Sequence, residues 1–298
     1  MKFRKRISRA WKYLIKGTLP EKPAPAPAAA PVKVEKKVVN HTTAKVYTLA
    51  PNERLKGKKI IITGGGRGLG YAMAKKFVAE GAEILIAGRN EDTLKEKAKE
   101  LNCHYLQLDV QDVSSFEHFI KKADEMLGGV DSLVNNAGIS LHEGNIRKVK
   151  PEQFDMQIAT NLRGAYFLAQ QFIKLFEEKK RTGGNLLFIS SERGMYVDDL
   201  PYGLTKVATN SLVQGLANRL LQSGIRVNAV APGVTTSDMT GFKADGNLYC
   251  WYNINKRVYL PEEVAEVACF IMSDAAGCLD GQILVCNEGK TINAHWRL

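Results

Sequence analysis

The stretch Lys59-Ile60-Ile61-Ile62-Thr63-Gly64-Gly65-Gly66-Arg67-Gly68-Leu69-Gly70 constrains the fold more than any other part of the chain. A β-branched apolar run, suited to a buried strand, stops abruptly in glycines. Tyr71 to Glu80 then reads as a helix, and Glu83 to Ala87 as a second apolar strand. Strand, glycine turn, helix and strand make one β-α-β unit of the length a nucleotide-binding corner needs. Glycines lack Cβ, so the backbone can turn tightly and approach a pyrophosphate. The helix start offers that phosphate free N–H groups and a partial positive charge. A glycine cluster alone is as often a plain turn; the order of elements around this one is what gives it weight.

The same alternation continues. Strand patterns fall at 59–63, 83–87, 104–108, 131–135, 185–190, 225–231 and 282–286, and helical patterns near 68–80, 91–101, 113–127, 151–180, 203–222 and 261–273. Alternating strands and helices predict an α/β fold, a Rossmann-like doubly wound parallel sheet of about seven strands with helices on both faces. The catalytic domain is expected to span 55–298. Residues 236–260 have no period, and their Tyr249, Trp251 and Tyr252 favour a lid over a disordered loop.

The net charge of +11 belongs to one end. Residues 1–59 hold 16 Lys and Arg against 3 Asp and Glu, which leaves the remainder at −2. A nearly neutral domain gives no footprint for nucleic acid. Residues 1–19 carry seven basic residues and no acid, with Phe3, Ile7, Trp11, Leu14 and Ile15 near one helical face. This basic amphipathic pattern suits contact with an anionic membrane surface, against the plainer reading of a basic extension without a role. Residues 20–54 form a Pro/Ala-rich linker and lead-in. No apolar run reaches the roughly 20 residues needed to span a bilayer. Cys103, Cys250, Cys269, Cys278 and Cys286 show no paired metal-ligand spacing, so reduced thiols in a cytoplasmic protein without a metal site are expected.

Several strand ends carry residues suited to a nucleotide. Asp109, followed by Val110, ends the third strand and can hydrogen-bond an adenine edge; alone it reads more often as a helix cap. Asn136-Ala137-Gly138 ends the fourth with small and amide residues suited to backbone pressed against a cofactor. Ligands of open α/β sheets bind at these strand ends. Tyr202 and Lys206 lie one helical turn apart on one face. An ammonium beside a phenol favours the phenolate, so Lys206 is expected to lower the Tyr202 pKa from about 10 and fit it for proton transfer. Tyr196 has no such lysine, because position 200 is Leu200. Ser190 and Ser191 end the fifth strand with two hydroxyls, either able to donate to a substrate oxygen as charge develops there.

Taken in order, Thr63-Gly64-x-x-x-Gly68-x-Gly70, Asn135-Asn136-Ala137-Gly138, Tyr202-x-x-x-Lys206 and Pro232-Gly233 resemble the motifs of the short-chain dehydrogenase/reductase family, over roughly residues 55–292. In style the chain is most similar to the 3-oxoacyl-carrier-protein reductases. The resemblance implies a catalytic set of Asn161, Ser191, Tyr202 and Lys206. Gly194 follows Ser191 by three positions, as in relatives, which selects Ser191 over Ser190. It further implies that Thr63, Gly64, Gly66, Arg67, Gly68, Leu69, Gly70, Asp109, Val110, Asn136, Ala137, Gly138, Tyr202, Lys206, Pro232, Gly233, Val234 and Ser237 contact the cofactor. Two departures stand out: a short gap between Ser191 and Tyr202, and Asn287-Glu288-Gly289-Lys290 where relatives commonly have Asp-Gly-Gly.

The second strand ends in Ala87-Gly88-Arg89-Asn90, without the acid that an NAD site places there. Arg89 and Arg67 can pair with a 2′-phosphate, which favours NADP(H) over NAD(H). The expected reaction is reduction of a ketone or 3-oxoacyl carbonyl to a secondary alcohol, or the reverse, on a small-molecule or acyl-thioester substrate. Sugar, polyol or steroid-like alcohols are alternative substrates, and a silent nucleotide sensor or scaffold is the alternative function. A homodimer or homotetramer is expected by resemblance.

Overall fold

A computed structural model describes residues 41–44, 49 and 51–292. The amphipathic segment 1–19, the linker up to residue 40 and the last six residues lie outside the described residues.

Seven strands form one parallel sheet: β1 (Lys59–Thr63), β2 (Glu83–Gly88), β3 (His104–Gln107), β4 (Ser132–Asn135), β5 (Asn185–Ile189), β6 (Arg226–Pro232) and β7 (Ile283–Cys286), in the order β3-β2-β1-β4-β5-β6-β7. Among the described residues seven α-helices accompany them: α1 (Gly68–Ala79), α2 (Glu91–Leu101), α3 (Phe116–Leu127), α4 (Pro151–Ile158), α5 (Ala165–Glu178), α6 (Pro201–Leu220) and α7 (Pro261–Met272). The sheet is the doubly wound one that the alternating pattern predicts. Successive side chains of a strand point to opposite faces, and the core divides accordingly. Ile61, Leu85, Leu133, Leu186 and Val227 face α3, α5 and α6. Ile60, Ile62, Ile84, Ile86 and Val134 face α1, α2 and α7. Every residue of that central run, Ile60 to Ile62, is fully buried, which is why it reads as continuously apolar rather than alternating.

The strand order switches direction at β1, which pairs β2 on one side and β4 on the other, both parallel. That switch point opens a crevice at the carboxyl ends of the strands. The helical pattern 151–180 is broken: a π-helical turn, Ala159–Gly164, separates α4 from α5. Residues 236–260 are packed down as a lid-like segment, through bridges Thr235–Tyr259, Ser237–Phe242 and Tyr249–Arg257 and a small core of Leu248, Cys250, Val258 and Leu260. Upstream of Leu55 the described residues are tied to the body. The Leu248 N–H donates to the Thr42 carbonyl at 3.1 Å, and the Asn52 and Arg54 amides donate to the Glu80 carboxylate at 3.0 and 3.3 Å.

Candidate active site

The glycine corner is built by backbone contact. A Cβ on Gly70 would lie 2.2 Å from the Gly64 carbonyl oxygen, so the first turn of α1 can lie against the end of β1 only as glycine. Thr63 fixes the neighbouring strand end: its hydroxyl accepts from the Asn136 and Ala137 N–H groups at 3.0 Å each and donates to the Val134 carbonyl at 3.3 Å. The Asn136 amide donates back to the Thr63 carbonyl at 2.8 Å. The start of α1 carries no side-chain cap at Arg67, so its first N–H groups stay available. Beside Gly68 no side chain comes nearer than Ser237 Cβ at 4.0 Å from an added Cβ. Uncapped N–H groups, an open glycine face and two bordering arginines fit the pyrophosphate of a dinucleotide.

A single cleft of about 1690 Å³ runs from that corner across the strand ends. Every residue of the expected site lines it except Asn161, including both arginines, Asp109, Val110, Asn136, Ser191, Tyr202, Lys206 and Ser237. Arg67 pairs with Asp238 at 3.2 Å and Arg89 is exposed at the rim. One oxygen of Asp109 accepts from the Gln111 N–H at 3.0 Å, so part of this carboxylate serves its own turn. Asn161 sits behind the wall, on the π-helical turn, 3% exposed. Its side chain accepts from the Ile139 N–H and donates to the Ile139 carbonyl, each at 2.8 Å, and donates to Thr205 Oγ1 at 3.3 Å.

Tyr202 is the second residue of α6, after Pro201, and Lys206 follows one turn later. The Ser191 hydroxyl is near enough to the Tyr202 phenol to draw its pKa down. Ser191 Oγ also accepts from the Arg193 N–H at 3.2 Å, whereas Ser190 Oγ donates to Asn210 at 2.6 Å and is engaged elsewhere. The Lys206 ammonium donates to the Ile189 carbonyl at 2.8 Å and lies 5.6 Å from the centre of the Tyr202 ring. Burial pushes the Lys206 pKa down to about 8. Burial likewise raises the Tyr202 pKa above its ordinary value, outweighing the Ser191 hydroxyl and the Arg193 charge that pull it down. This corrects the expectation of a net lowering: loss of water around the phenol dominates, and Lys206, itself desolvated, does not reverse it.

Several cleft residues escape sequence reasoning. Glu192, 4% exposed, is buried beside Ser191 and held by Lys290 and Asn287. Arg193 forms a two-pronged ion pair with Asp198 next to Tyr202. Tyr252 and Lys290 close the far wall. The adjacency of Glu192 to Ser191, and the Lys290 turn departing from the family pattern, were the available signals.

Residues 64–291 match the family described as enoyl-(acyl carrier protein) reductase. The chain belongs to the short-chain dehydrogenase/reductase family. It is an NAD(P)-dependent oxidoreductase of that family. It is 33% identical over 242 residues to a 3alpha-hydroxysteroid dehydrogenase of Mediterraneibacter gnavus, covering 77% of this chain and 95% of that one. An uncharacterized oxidoreductase of Thermotoga maritima is 34% identical over 252 residues, 79% of this chain and 98% of the relative. Among solved structures, a short chain dehydrogenase from Burkholderia cenocepacia in complex with NADP superposes with a TM-score of 0.70 at 27% identity, covering 80% of this chain and 99% of that one. Among the described residues no helix is long and apolar enough to cross a membrane.

Proposed function

We propose that this short-chain dehydrogenase/reductase uses NADP(H) to interconvert a carbonyl compound and a secondary alcohol, with Tyr202 as proton donor and acceptor. The observation that carries the reading is a phenol with Lys206 against its ring, lining the same cleft as Ser191 and the glycine corner. Thr63, Gly64, Gly68 and the start of α1 would hold the pyrophosphate, and Arg67 and Arg89 the 2′-phosphate. When bound, the cofactor supplies the hydride that reduces the carbonyl carbon. Ser191 orients the substrate oxygen and polarises it through its hydroxyl. Tyr202, whose raised pKa keeps it protonated at neutral pH, gives its proton to that oxygen. Lys206 holds a cofactor hydroxyl and stabilises the phenolate as it forms. Asn161, by fixing Ile139 and Thr205, shapes the rear wall through which a proton is resupplied.

The NADP complex of the Burkholderia relative adds support for the phosphorylated cofactor. For the substrate, the 3-oxoacyl class is the first to test. The hydroxysteroid dehydrogenase among the relatives makes 3-ketosteroids the second. Exposed Phe154, Tyr166, Phe167, Leu204 and Val207 on α4, α5 and α6 support self-association into a dimer or tetramer, for which sedimentation at two protein concentrations is the test. The proposed cytoplasmic enzyme would touch anionic membrane surfaces through residues 1–19. Tyr202→Phe should cut turnover of NADPH with ketones and acetoacetyl thioesters by a thousandfold or so, while cofactor binding, followed by fluorescence, persists. Activity retained within tenfold in that variant would refute the assignment of Tyr202, and silence of the wild type towards every carbonyl despite cofactor binding would favour a nucleotide sensor.

A further inference from the structure

Beyond β7 the chain departs from the family pattern at Asn287-Glu288-Gly289-Lys290, and this turn reaches the cleft. The Lys290 ammonium donates to Glu192 Oε1 at 2.7 Å and to Asn253 Oδ1 at 3.1 Å, and lies 4.9 Å from the centre of the Tyr252 ring. Asn287 donates to the other Glu192 oxygen at 3.1 Å. Asn253 is 1% exposed and donates in turn to the Arg257 carbonyl at 2.7 Å. One lysine therefore joins three regions distant in sequence: the segment behind Ser191, the lid-like segment and the C-terminal turn. A buried ion pair contributes little net stability against apolar replacements, because both ions lose hydration, yet removing one partner leaves a costly lone charge.

We propose that Lys290 is a positioning residue for proton transfer, neutralising Glu192 and tying the lid-like segment to the Ser191 segment. The inference rests on the reading of Tyr202 and Ser191 given above. As Tyr202 gives up its proton, negative charge appears on its oxygen. Arg193, His142 and Glu143 share a small recess with Tyr202, Lys206 lies against its ring from its own helix, and Ser191 and Glu192 line the same cleft. Arg193 is matched by Asp198. Glu192 is matched by Lys290, across the cleft wall. Without Lys290 the buried carboxylate, left with one amide, opposes the phenolate directly.

The test compares Lys290→Met, Lys290→Arg, Glu192→Gln and the double variant Lys290→Met/Glu192→Gln in the full chain. Two readouts are taken: the pH profile of kcat, and ultraviolet titration of the phenolate against a Tyr202→Phe background, which needs no turnover. Lys290→Met should move the Tyr202 titration about one pH unit upward, lower kcat at neutral pH by roughly tenfold and leave cofactor affinity unchanged. Lys290→Arg should restore most of both. The double variant should return the titration to its wild-type position, since the opposing charge has gone with its partner. A Lys290→Met titration that superimposes on the wild type, or a double variant displaced as far as the single one, would overturn the proposal. If the wild type proves catalytically silent, the titration alone still decides it. Circular dichroism confirms that each variant is folded.

Discussion

Replacing Lys206 with methionine should change the pH dependence of stability in a direction opposite to that of most ion-paired lysines. The ammonium is 5% exposed, makes one hydrogen bond, to the Ile189 carbonyl, and has its pKa held down to about 8 by burial. An unfolded chain returns it to its ordinary value of 10.5. Between those values the unfolded state binds the proton and the folded state does not, so stability increases with pH across that window. Below about pH 8 both states carry the charge and the folded state bears the whole cost. Displacing the pKa from 10.5 to about 8 corresponds to about 3 kcal/mol. The variant loses the Ile189 hydrogen bond and some packing, a roughly pH-independent offset. The informative quantity is therefore the stability difference between wild type and Lys206→Met, measured by urea denaturation at fixed protein concentration from pH 7 to 10.5. Wild type should gain about 3 kcal/mol relative to the variant across that range. Groups away from Lys206 that titrate at alkaline pH act on both proteins and cancel. A difference that stays flat, or that moves against wild type as pH rises, would show that Lys206 is not desolvated in the folded protein.

Three further outcomes follow from other parts of the molecule. Arg89→Ala should reduce kcat/KM with NADPH by roughly 10- to 100-fold, the worth of a charge-assisted hydrogen bond, and leave the value with NADH nearly unchanged; equal losses with both cofactors would remove Arg89 from the 2′-phosphate site. Glu80 is fully buried, bonded to Arg54 at 2.5 Å and Lys76 at 2.9 Å. The Arg54 hydrogen bond holds its pKa far below the ordinary 4.5, so its contribution is present above pH 4.5 and lost as pH falls below it. Glu80→Ala should cost roughly 3–5 kcal/mol in urea denaturation at neutral pH and flatten the acid limb, and a loss under 1 kcal/mol would contradict the buried network. Full-length protein should co-sediment with anionic vesicles while a chain starting at His41, which keeps the Arg54–Glu80 network, stays in the supernatant; equal recovery would remove the membrane contact of residues 1–19.

The sheet and most helices were legible because each carries its own local signal. Helix α2 runs Glu91–Leu101, as the pattern predicts, since Asn90 caps it by accepting from the Thr93 N–H and Asn102 ends it in the left-handed conformation. The break within 151–180 was not legible. It exists because Gly164 passes the Val110 carbonyl so closely that a Cβ would lie 2.2 Å from that oxygen, and because Asn161 must reach Ile139. Neither contact leaves a periodic trace, and π-helical turns of this kind gather at functional sites. Residues 236–260 lack a period because turns and isolated bridges hold them, not a ladder. The glycine corner and the Tyr202–Lys206 spacing are local and were visible. The Glu192–Lys290 pair joins residues 98 apart in sequence, and the pKa of Tyr202 depends on how much water the assembled cleft removes.

That last point separates two uses of buried charge in this molecule. Glu80 is shifted in favour of its charged form by Arg54 and Lys76, so it strengthens the fold where residues 52–54 meet α1. Lys206 and Tyr202 are shifted against their charged forms by the same loss of water, without enough partners to compensate, so each weakens the folded state or resists ionisation. An uncompensated desolvation is tolerated where it serves chemistry, since a phenol kept protonated and an ammonium kept near neutrality in pKa can exchange charge at modest cost. The direction of shift alone does not mark a site. Asp131 is also raised by burial, yet it precedes β4 at the amino end of the sheet, accepting from the Lys59 N–H at 2.8 Å and bonded to Ser132 at 2.6 Å. What distinguishes Tyr202 and Lys206 is that both penalties fall in one cleft, within reach of Ser191 and opposite the open glycine corner. Glu192 lies in the same cleft, paired with Lys290 from the far C-terminal turn, and that ion pair makes the turn part of the reacting surroundings.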